Sequence, residues 1–354
     1  MKAWRLTAPG GQLSFREIPV PAVTEGSVLV RLQAAPLLSY LRSYVDGELG
    51  GYQPPEGEFT PGTNGVGVIK ATGTGVYGLA DGQRVFCSPY LVAGENVAEP
   101  AEALMALTAL TADPGSAGLV NRWRDGTLAE LALVPASAVT PVPATLGHIG
   151  SDRLAALSRC VVPYGGFLRG RLTPGEVVVV HGATGAFGSA AVLVALAMGA
   201  SQVIAAGRNP DMLSRLGGLP RVAMVRMTGD IDVDARALRA AAGPADCALD
   251  MIGRADSAAG TLAVLGSLRR GGRLVLMGSM TAALPLDYGQ LLRTGGEIIG
   301  NFMYPRWAPG RLLQLVAAGQ LDLEHIPIAT RLLPELPTAM RQAEKPGAPL
   351  IVMV

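Results

Sequence analysis

The sequence has few of the residues that mark several common classes of protein. It contains three cysteines, Cys87, Cys160 and Cys247, which are too widely separated for a disulfide framework or a paired-cysteine metal site. Aromatic residues make up 5% of the chain, which gives no support for base-stacking platforms or membrane belts. The 29 basic and 28 acidic residues almost cancel. We therefore expect neither nucleic acid nor a membrane surface as the main partner.

The small number of separated cysteines favours a cytoplasmic protein, because free thiols are the ordinary state in the cytoplasm. The first residues, Met1 to Arg5, already resemble a strand and contain no apolar signal segment. The most apolar window, 177–200, is interrupted by glycines, so it fits a buried strand and helix better than a membrane span.

The most informative stretch joins a run of valines to a cluster of glycines. Residues 177–180 are all valine and predict a strand buried on both faces, and residues 189–198, rich in alanine and leucine, predict a helix. A glycine turn between them leaves N–H groups at the helix N-terminus, which can bind a diphosphate. We therefore predict a dinucleotide site here, with contacts from Ala183, Thr184, Gly185, Ala186, Phe187 and Gly188.

The next strand, predicted at 202–206, ends without an acidic residue. An Asp or Glu at that place would bind the ribose hydroxyl of NAD and repel a 2′-phosphate. The chain instead has Gly207, Arg208 and Asn209, and an arginine can pair with the phosphate. NADPH is therefore the predicted cofactor. The alternative is a surface turn in which Asn209 caps a helix and Arg208 is solvated.

The order of predicted strands and helices along the chain indicates an α/β protein of two domains. Residues 1–150 contain many short strands with glycine punctuation, which is typical of a partly open β-barrel, and 94–118 are predicted as a loop with a short helix at 99–105. From 151 to 302, strands alternate with helices such as 257–270, which predicts a doubly wound parallel sheet. We expect 303–354, with a final strand at 350–354, to return to the first domain.

Several motifs occur together along the chain. They lie at 61–62, 65–69, 82–85, 126–130, 172–179, 183–188, 250–253 and 271–275. Together they resemble the medium-chain dehydrogenase/reductase superfamily. The resemblance implies a GroES-like domain, a Rossmann domain, hydride transfer with a nicotinamide cofactor and a homodimer.

Three further residues are predicted to contact the cofactor. Asp250 and Gly278 lie where two strands of the Rossmann domain end, and ligands bind beyond the carboxyl ends of such strands. Asn301 lies in a segment that resembles the loop of the superfamily near the carboxamide.

The motifs depart from the zinc-dependent branch of the superfamily. Leu38 and Thr63 stand where that branch has zinc ligands, and Cys160 alone cannot supply the three ligands of a catalytic zinc. We therefore predict that the protein binds no metal ion. The sequence in this respect is similar to quinone and enoyl reductases, zinc-independent members of the superfamily.

Without a metal, the charge that develops during hydride transfer must be met by hydrogen-bond donors or a proton. Tyr40 aligns with the hydroxyl of the proton relay in the zinc enzymes, and Tyr52 follows on the same loop, so both are candidate catalytic residues. Asn64 is a third, as an orienting group for a substrate oxygen.

We therefore predict a zinc-independent NADPH-dependent oxidoreductase that reduces a small hydrophobic enone, quinone or other activated alkene. One alternative is a zinc-free carbonyl reductase or alcohol dehydrogenase. Another is an NADPH-binding structural or scaffolding protein without turnover.

Overall fold

A computed structural model of the protein describes residues 1–111, 113–253 and 255–354, so that Ala112, within the stretch predicted as a loop, lies outside the described residues. The chain divides into two compact units. Unit 1 comprises Met1–Ser158, Pro309–Ala317 and Ile326–Val354, and unit 2 comprises Arg159–Ala308 and Ala318–His325.

The strands, in chain order, are β1 (Lys2–Leu6), β2 (Leu13–Glu17), β3 (Ser27–Pro36), β4 (Gly65–Thr72), β5 (Arg84–Cys87), β6 (Tyr90–Val92), β7 (Glu102–Leu104), β8 (Thr108–Ala109), β9 (Leu131–Pro135), β10 (Val139–Pro141), β11 (Val177–His181), β12 (Gln202–Gly207), β13 (Val222–Arg226), β14 (Ala245–Asp250), β15 (Leu268–Leu276), β16 (Glu297–Gly300), β17 (Ile328–Arg331) and β18 (Leu350–Met353). The α-helices are α1 (Leu41–Val45), α2 (Pro114–Arg122), α3 (Ser151–Leu154), α4 (Leu157–Arg169), α5 (Ala186–Ala197), α6 (Pro210–Ser214), α7 (Ile231–Ala242), α8 (Ala259–Ser267), α9 (Tyr288–Thr294), α10 (Ala308–Ala317) and α11 (Leu336–Ala343).

Unit 1 is the GroES-like domain that the sequence predicts. Its largest sheet has the order β10-β5-β4-β3-β18-β17, and β9 also pairs with β3. Strand β18 joins this sheet antiparallel to β3, with Val352 opposite Pro36. The last strand therefore belongs to the same sheet as the first long strand of the chain.

Unit 2 contains a six-stranded parallel sheet of order β13-β12-β11-β14-β15-β16. This is the strand order of a Rossmann domain, and the order reverses between β11 and β14. Val178, Val179 and Val180 of β11 are completely buried, as expected for a central parallel strand covered on both faces. The predicted fold class is confirmed.

Two local predictions are wrong. The segment predicted as a helix at 99–105 contains β7, which pairs with β6 and β8, because tertiary pairing outweighs the helix propensity of alanine and glutamate. The helix predicted at 257–270 ends at Ser267, because Leu268 already pairs with Ala245 in the sheet.

The turn between β11 and α5 depends on glycine at two positions. Gly182 has a φ of +82°, and a Cβ added at Gly188 would lie 2.6 Å from the carbonyl carbon of Gly182. Helix α5 begins after Gly185, and no side chain of the described residues caps it. The N–H groups of its first turn therefore face the space beyond the strand.

We expect Gly188→Ala to destabilise unit 2, because the new methyl group must displace backbone rather than a flexible side chain. Overpacking of this kind costs about 1–3 kcal/mol of the free energy of unfolding. Denaturant unfolding of the full chain measures the loss. Gly218→Ala is the matched control, because nothing lies within 4 Å of its added Cβ. Equal stability of the two variants would contradict the proposed close approach.

Candidate functional site

Three turns at the carboxyl ends of the Rossmann strands are held together by backbone contacts. Met251 N–H donates to the carbonyl of His181 (2.9 Å), and Met277 N–H donates to the carbonyl of Asp250 (3.0 Å). An added Cβ at Gly182 would lie 3.1 Å from the nitrogen of Ile252, and one at Gly278 would lie 3.2 Å from the same atom. The ends of β11, β14 and β15 thus form one continuous floor.

A cavity of about 300 Å³ lies beside this floor. The glycine turn contributes Gly182, Thr184 and Gly185, and the end of β12 contributes Gly207 and Arg208. The remaining wall comes from the segments after β13 and β14 and the first turn of α8. The cavity therefore lies at the point where the strand order reverses, which is where open α/β sheets bind ligands.

A larger cavity, of about 530 Å³, lies in unit 1 between β3, β9 and the segment 332–334. Among the described residues, its wall contains no glycine and no N-terminal turn of an α-helix. The smaller cavity is therefore the better dinucleotide site, despite its size.

The end of β12 packs closely against the glycine turn. An added Cβ at Gly207 would lie 2.6 Å from the Cγ2 of Thr184, so a side chain there would displace Thr184. Arg208 is exposed and lines the cavity. Asn209 caps α6, its Oδ1 accepting from Asp211 N–H (3.0 Å) and Met212 N–H (3.2 Å). The capping role that the sequence left open for Asn209 is therefore present.

Asp250 is buried beneath the cavity. Its Oδ2 accepts from the hydroxyl of Thr261 (2.6 Å), its Oδ1 accepts from Ile252 N–H (3.1 Å), and His181 Nδ1 lies 3.3 Å away. Burial alone would raise the pKa of Asp250, but His181 and these hydrogen bonds hold it below its ordinary value. Asp250 is thus a carboxylate that fixes the turn, and His181 lines the cavity.

Asn301 follows β16 at the same edge of the sheet. Its N–H donates to the carbonyl of Leu276 (3.1 Å), and its side-chain amide donates to the carbonyl of Met303 (3.0 Å). The predicted cofactor residues Gly278 and Asn301 therefore both lie beyond the carboxyl ends of the strands. Contact of any of these residues with a cofactor stays a prediction.

One wall of the cavity was not predicted from the sequence. Met227 and Gly229 line it, and the buried carboxylate of Asp234 fixes their loop. Asp234 accepts from Thr228 N–H (2.8 Å), the Thr228 hydroxyl (2.8 Å) and Gly229 N–H (2.9 Å). The available signal was the turn-forming run 228–230 directly before a helix.

The candidate catalytic tyrosines lie close together in unit 1. Tyr40 precedes α1, and its ring centroid is 6.4 Å from that of Tyr52. Burial, followed by the charge of Tyr52 and a hydrogen bond with it, raises the pKa of Tyr40 well above its usual range. Tyr44 is different: it is buried, and its hydroxyl donates to the carbonyl of Leu107 (2.7 Å).

Asn64 and Thr63 are buried in the same unit. Asn64 Nδ2 donates to the carbonyl of Cys87 (3.4 Å), and the Thr127 hydroxyl donates to the carbonyl of Asn64 (2.8 Å). The hydroxyl of Thr63 has no hydrogen-bond partner among the described residues. A buried, unpaired hydroxyl is costly, so this position suits a polar group from outside the chain.

The side chains at the zinc positions of the superfamily do not supply the three ligands of a catalytic zinc. Leu38 has no donor atom, and Cys160 is a single buried thiol. In residues 1–111, 113–253 and 255–354, no three His, Cys, Asp or Glu side chains form a group that could hold a metal. Over the same residues, every helix is too short or too polar to cross a membrane.

Two family models match the chain. The model of the alcohol dehydrogenase GroES-like domain matches residues 24–144, and the model described as zinc-binding dehydrogenase matches residues 186–318. One match falls in unit 1, and most of the other falls in unit 2.

Known proteins are similar to this chain over more than half of its length. An alcohol dehydrogenase of Moraxella sp. (strain TAE123) is 29% identical over 334 residues, which are 91% of this chain and 90% of the relative. The quinone oxidoreductase of Rattus norvegicus is 28% identical over 219 residues, 58% of this chain and 53% of the relative. The solved alcohol dehydrogenase TADH from Thermus sp. ATN1 superposes with a TM-score of 0.80 at 22% identity, covering 100% of this chain and 99% of that one.

The family models, these relatives and the Rossmann strand order agree with one another. The chain therefore belongs to the medium-chain dehydrogenase/reductase superfamily and is an oxidoreductase of that type.

Proposed function

We propose that the protein is a zinc-independent, NADPH-dependent reductase of small hydrophobic enones, quinones or other activated alkenes. The observation that carries the proposal is the cavity at the glycine turn, which has an arginine and no acidic residue at the end of β12. The dimer expected from the resemblance stays a prediction.

The residues around this cavity fit a dinucleotide. The first turn of α5 offers uncapped N–H groups to a diphosphate, and Gly182, Gly185 and Gly188 have no side chains to block its approach. Arg208 lines the same cavity, and an arginine there can pair with a 2′-phosphate. When bound, NADPH would supply the hydride that adds to the β-carbon of the enone and would leave as NADP⁺.

The protein must then supply a proton to the substrate. As the β-carbon gains a hydrogen, negative charge moves to the carbonyl oxygen, and a proton completes the saturated ketone. Tyr40 suits this role, because a tyrosine hydroxyl is neutral at pH 7 and can donate. Tyr52, whose ring centroid lies 6.4 Å from that of Tyr40, can replace the proton, and Asn64 or the unpaired hydroxyl of Thr63 can orient the oxygen.

A second candidate is a zinc-free carbonyl reductase or alcohol dehydrogenase. The similarity to the Moraxella alcohol dehydrogenase, over nine-tenths of both chains, favours it. In that reaction the hydride adds to the carbonyl carbon, and the same tyrosines would protonate the oxygen.

The product formed from an enone separates the two candidates. We expect the full chain with NADPH and 2-cyclohexenone to give cyclohexanone, whereas a carbonyl reductase would give the allylic alcohol. Gas chromatography of the product decides between them. Activity should persist after dialysis against a chelator, and loss of activity that returns with zinc would overturn the metal-free proposal.

We expect NADPH to raise the melting temperature more than NADH at equal concentration, because Arg208 can form a charge-assisted hydrogen bond with the 2′-phosphate. Such a bond is worth about 1.5–3 kcal/mol, or roughly a 10- to 150-fold preference. Arg208→Ala should remove the preference. Arg236→Ala, at an exposed arginine outside the cavity wall, is the control. Equal stabilisation of the unmodified protein by both cofactors would sink the assignment.

For Tyr40→Phe, we expect kcat to fall by about 100-fold or more, within the range of general acid catalysis, and the Kd of NADPH to stay unchanged. Stopped-flow kinetics and cofactor titration measure the two quantities. The matched control is Tyr77→Phe, because Tyr77 is 96% exposed. If Tyr52→Phe alone lowers kcat, the acid is Tyr52.

A further inference from the structure

Arg159 carries a charge that the proposed reaction does not use. It lies in the first turn of α4 and is half-buried. Within the described part of the chain, no carboxylate or other acceptor pairs with its guanidinium, and the ionisable group beside it is the thiol of Cys160. Burial lowers the pKa of Arg159 to about 10, which leaves the side chain charged at pH 7.

Two features make this placement costly. The N-terminal turn of a helix carries the positive end of the helix dipole, which disfavours a cation. A charge that is partly withdrawn from water without a partner costs further free energy. Since no carboxylate among the described residues of unit 2 offsets either cost, the arginine is best explained by a negatively charged ligand, and residues perturbed in this way are concentrated at functional sites.

The packing of α4 shows where Arg159 lies. An added Cβ at Gly170 would lie 2.8 Å from Val275 and 3.1 Å from Cys247, whereas one at Gly166 would lie 2.6 Å from Leu249. Residues nearer the N-terminus of α4 therefore lie nearer the carboxyl ends of β14 and β15. The helix runs antiparallel to these strands.

Arg159 is seven residues before Gly166, which is almost two full turns, so both lie on the same side of α4. At 1.5 Å per residue, Arg159 is about 10 Å beyond Gly166 along the helix axis. Strand β14 ends at Asp250, one residue beyond the Leu249 that Gly166 contacts, and β15 ends beside it at Leu276. Both strands therefore end at about the level of Gly166. Arg159 thus lies past the strand ends, and helical side chains lean further in that direction.

This position is on the other side of the glycine turn from Arg208. Arg208 follows β12, whereas Arg159 lies beyond β14 and β15, near the edge that holds Gly278 and Asn301. If Arg208 binds the phosphate of the cofactor, Arg159 lies on the side of the glycine turn where the other half of an extended dinucleotide, with its reacting end, belongs.

We infer that Arg159 binds a carboxylate of the substrate, so that the preferred substrates are enones that carry one carboxylate group. The inference rests on the proposed function and narrows its substrate class. A planar guanidinium matches a carboxylate with two parallel hydrogen bonds. One unpaired cation balances one negative charge, which favours a carboxylate over a dianionic phosphate.

A matched substrate pair tests the inference. With NADPH, kcat/KM is measured for 4-oxopent-2-enoate and for its neutral methyl ester. We expect Arg159→Gln to lower the value for the carboxylate about 10- to 150-fold, the effect of one charge-assisted hydrogen bond, and to change the value for the ester less than about threefold. For the carboxylate substrate, the kcat/KM of Arg159→Lys should lie between those of the unmodified protein and Arg159→Gln. Arg169→Gln, at the exposed far end of α4, is the control and should change neither.

An equal loss on both substrates, or no loss on either, would overturn the inference. If neither substrate is reduced, the proposed function fails, and calorimetry with the saturated analogue 4-oxopentanoate still tests Arg159. Binding to the unmodified protein that weakens at least tenfold in Arg159→Gln supports the carboxylate site, and absent or equal binding refutes it. If Arg159→Gln does not fold, the same measurements on Arg159→Lys decide.

Discussion

The close approach of Gly188 to the carbonyl group of Gly182 is the constraint on which unit 2 depends. It brings α5 directly onto the end of β11, and the positive φ of Gly182 places the backbone of Met251 and Ile252 against the same turn. The contact needs two positions without side chains. Their absence also leaves the first-turn N–H groups of α5 open, so one requirement serves both packing and anion binding.

Buried carboxylates fix the walls around this turn. Asp250 holds the segment after β14, and Asp234 holds the loop that contains Met227 and Gly229, each through hydrogen bonds to backbone N–H groups. Neither carboxylate needs a ligand to be satisfied. Hydrogen bonds within the chain therefore order the cavity walls before a ligand binds. This reduces the loss of conformational entropy on binding. Asp250 was predicted as a cofactor residue, and its contact with a cofactor stays a prediction.

Sequence patterns predicted the Rossmann strands well, because a run such as Val177–Val180 has one physical explanation, burial on both faces. They failed at 99–105, where alanine favours a helix in isolation and neighbouring strands impose β7. The glycine turn and Arg208 could be predicted because they are local. The wall formed by Met227 could not, because it depends on which loops the topology brings to one edge. The burial of Arg159 could not be predicted from the sequence either, because a helical pattern does not show where the helix starts relative to the sheet.

Strand β3 pairs with β4, β9 and β18. Residue 36 and residue 352 are therefore neighbours in the sheet, although more than 300 positions separate them along the chain. The strands of unit 2, by contrast, all lie between 177 and 300. During synthesis the parallel sheet of unit 2 can form while the GroES-like sheet still lacks β17 and β18, because loop closure over so long a distance is slow and comes last. The unit that begins the chain is thus the last to be completed.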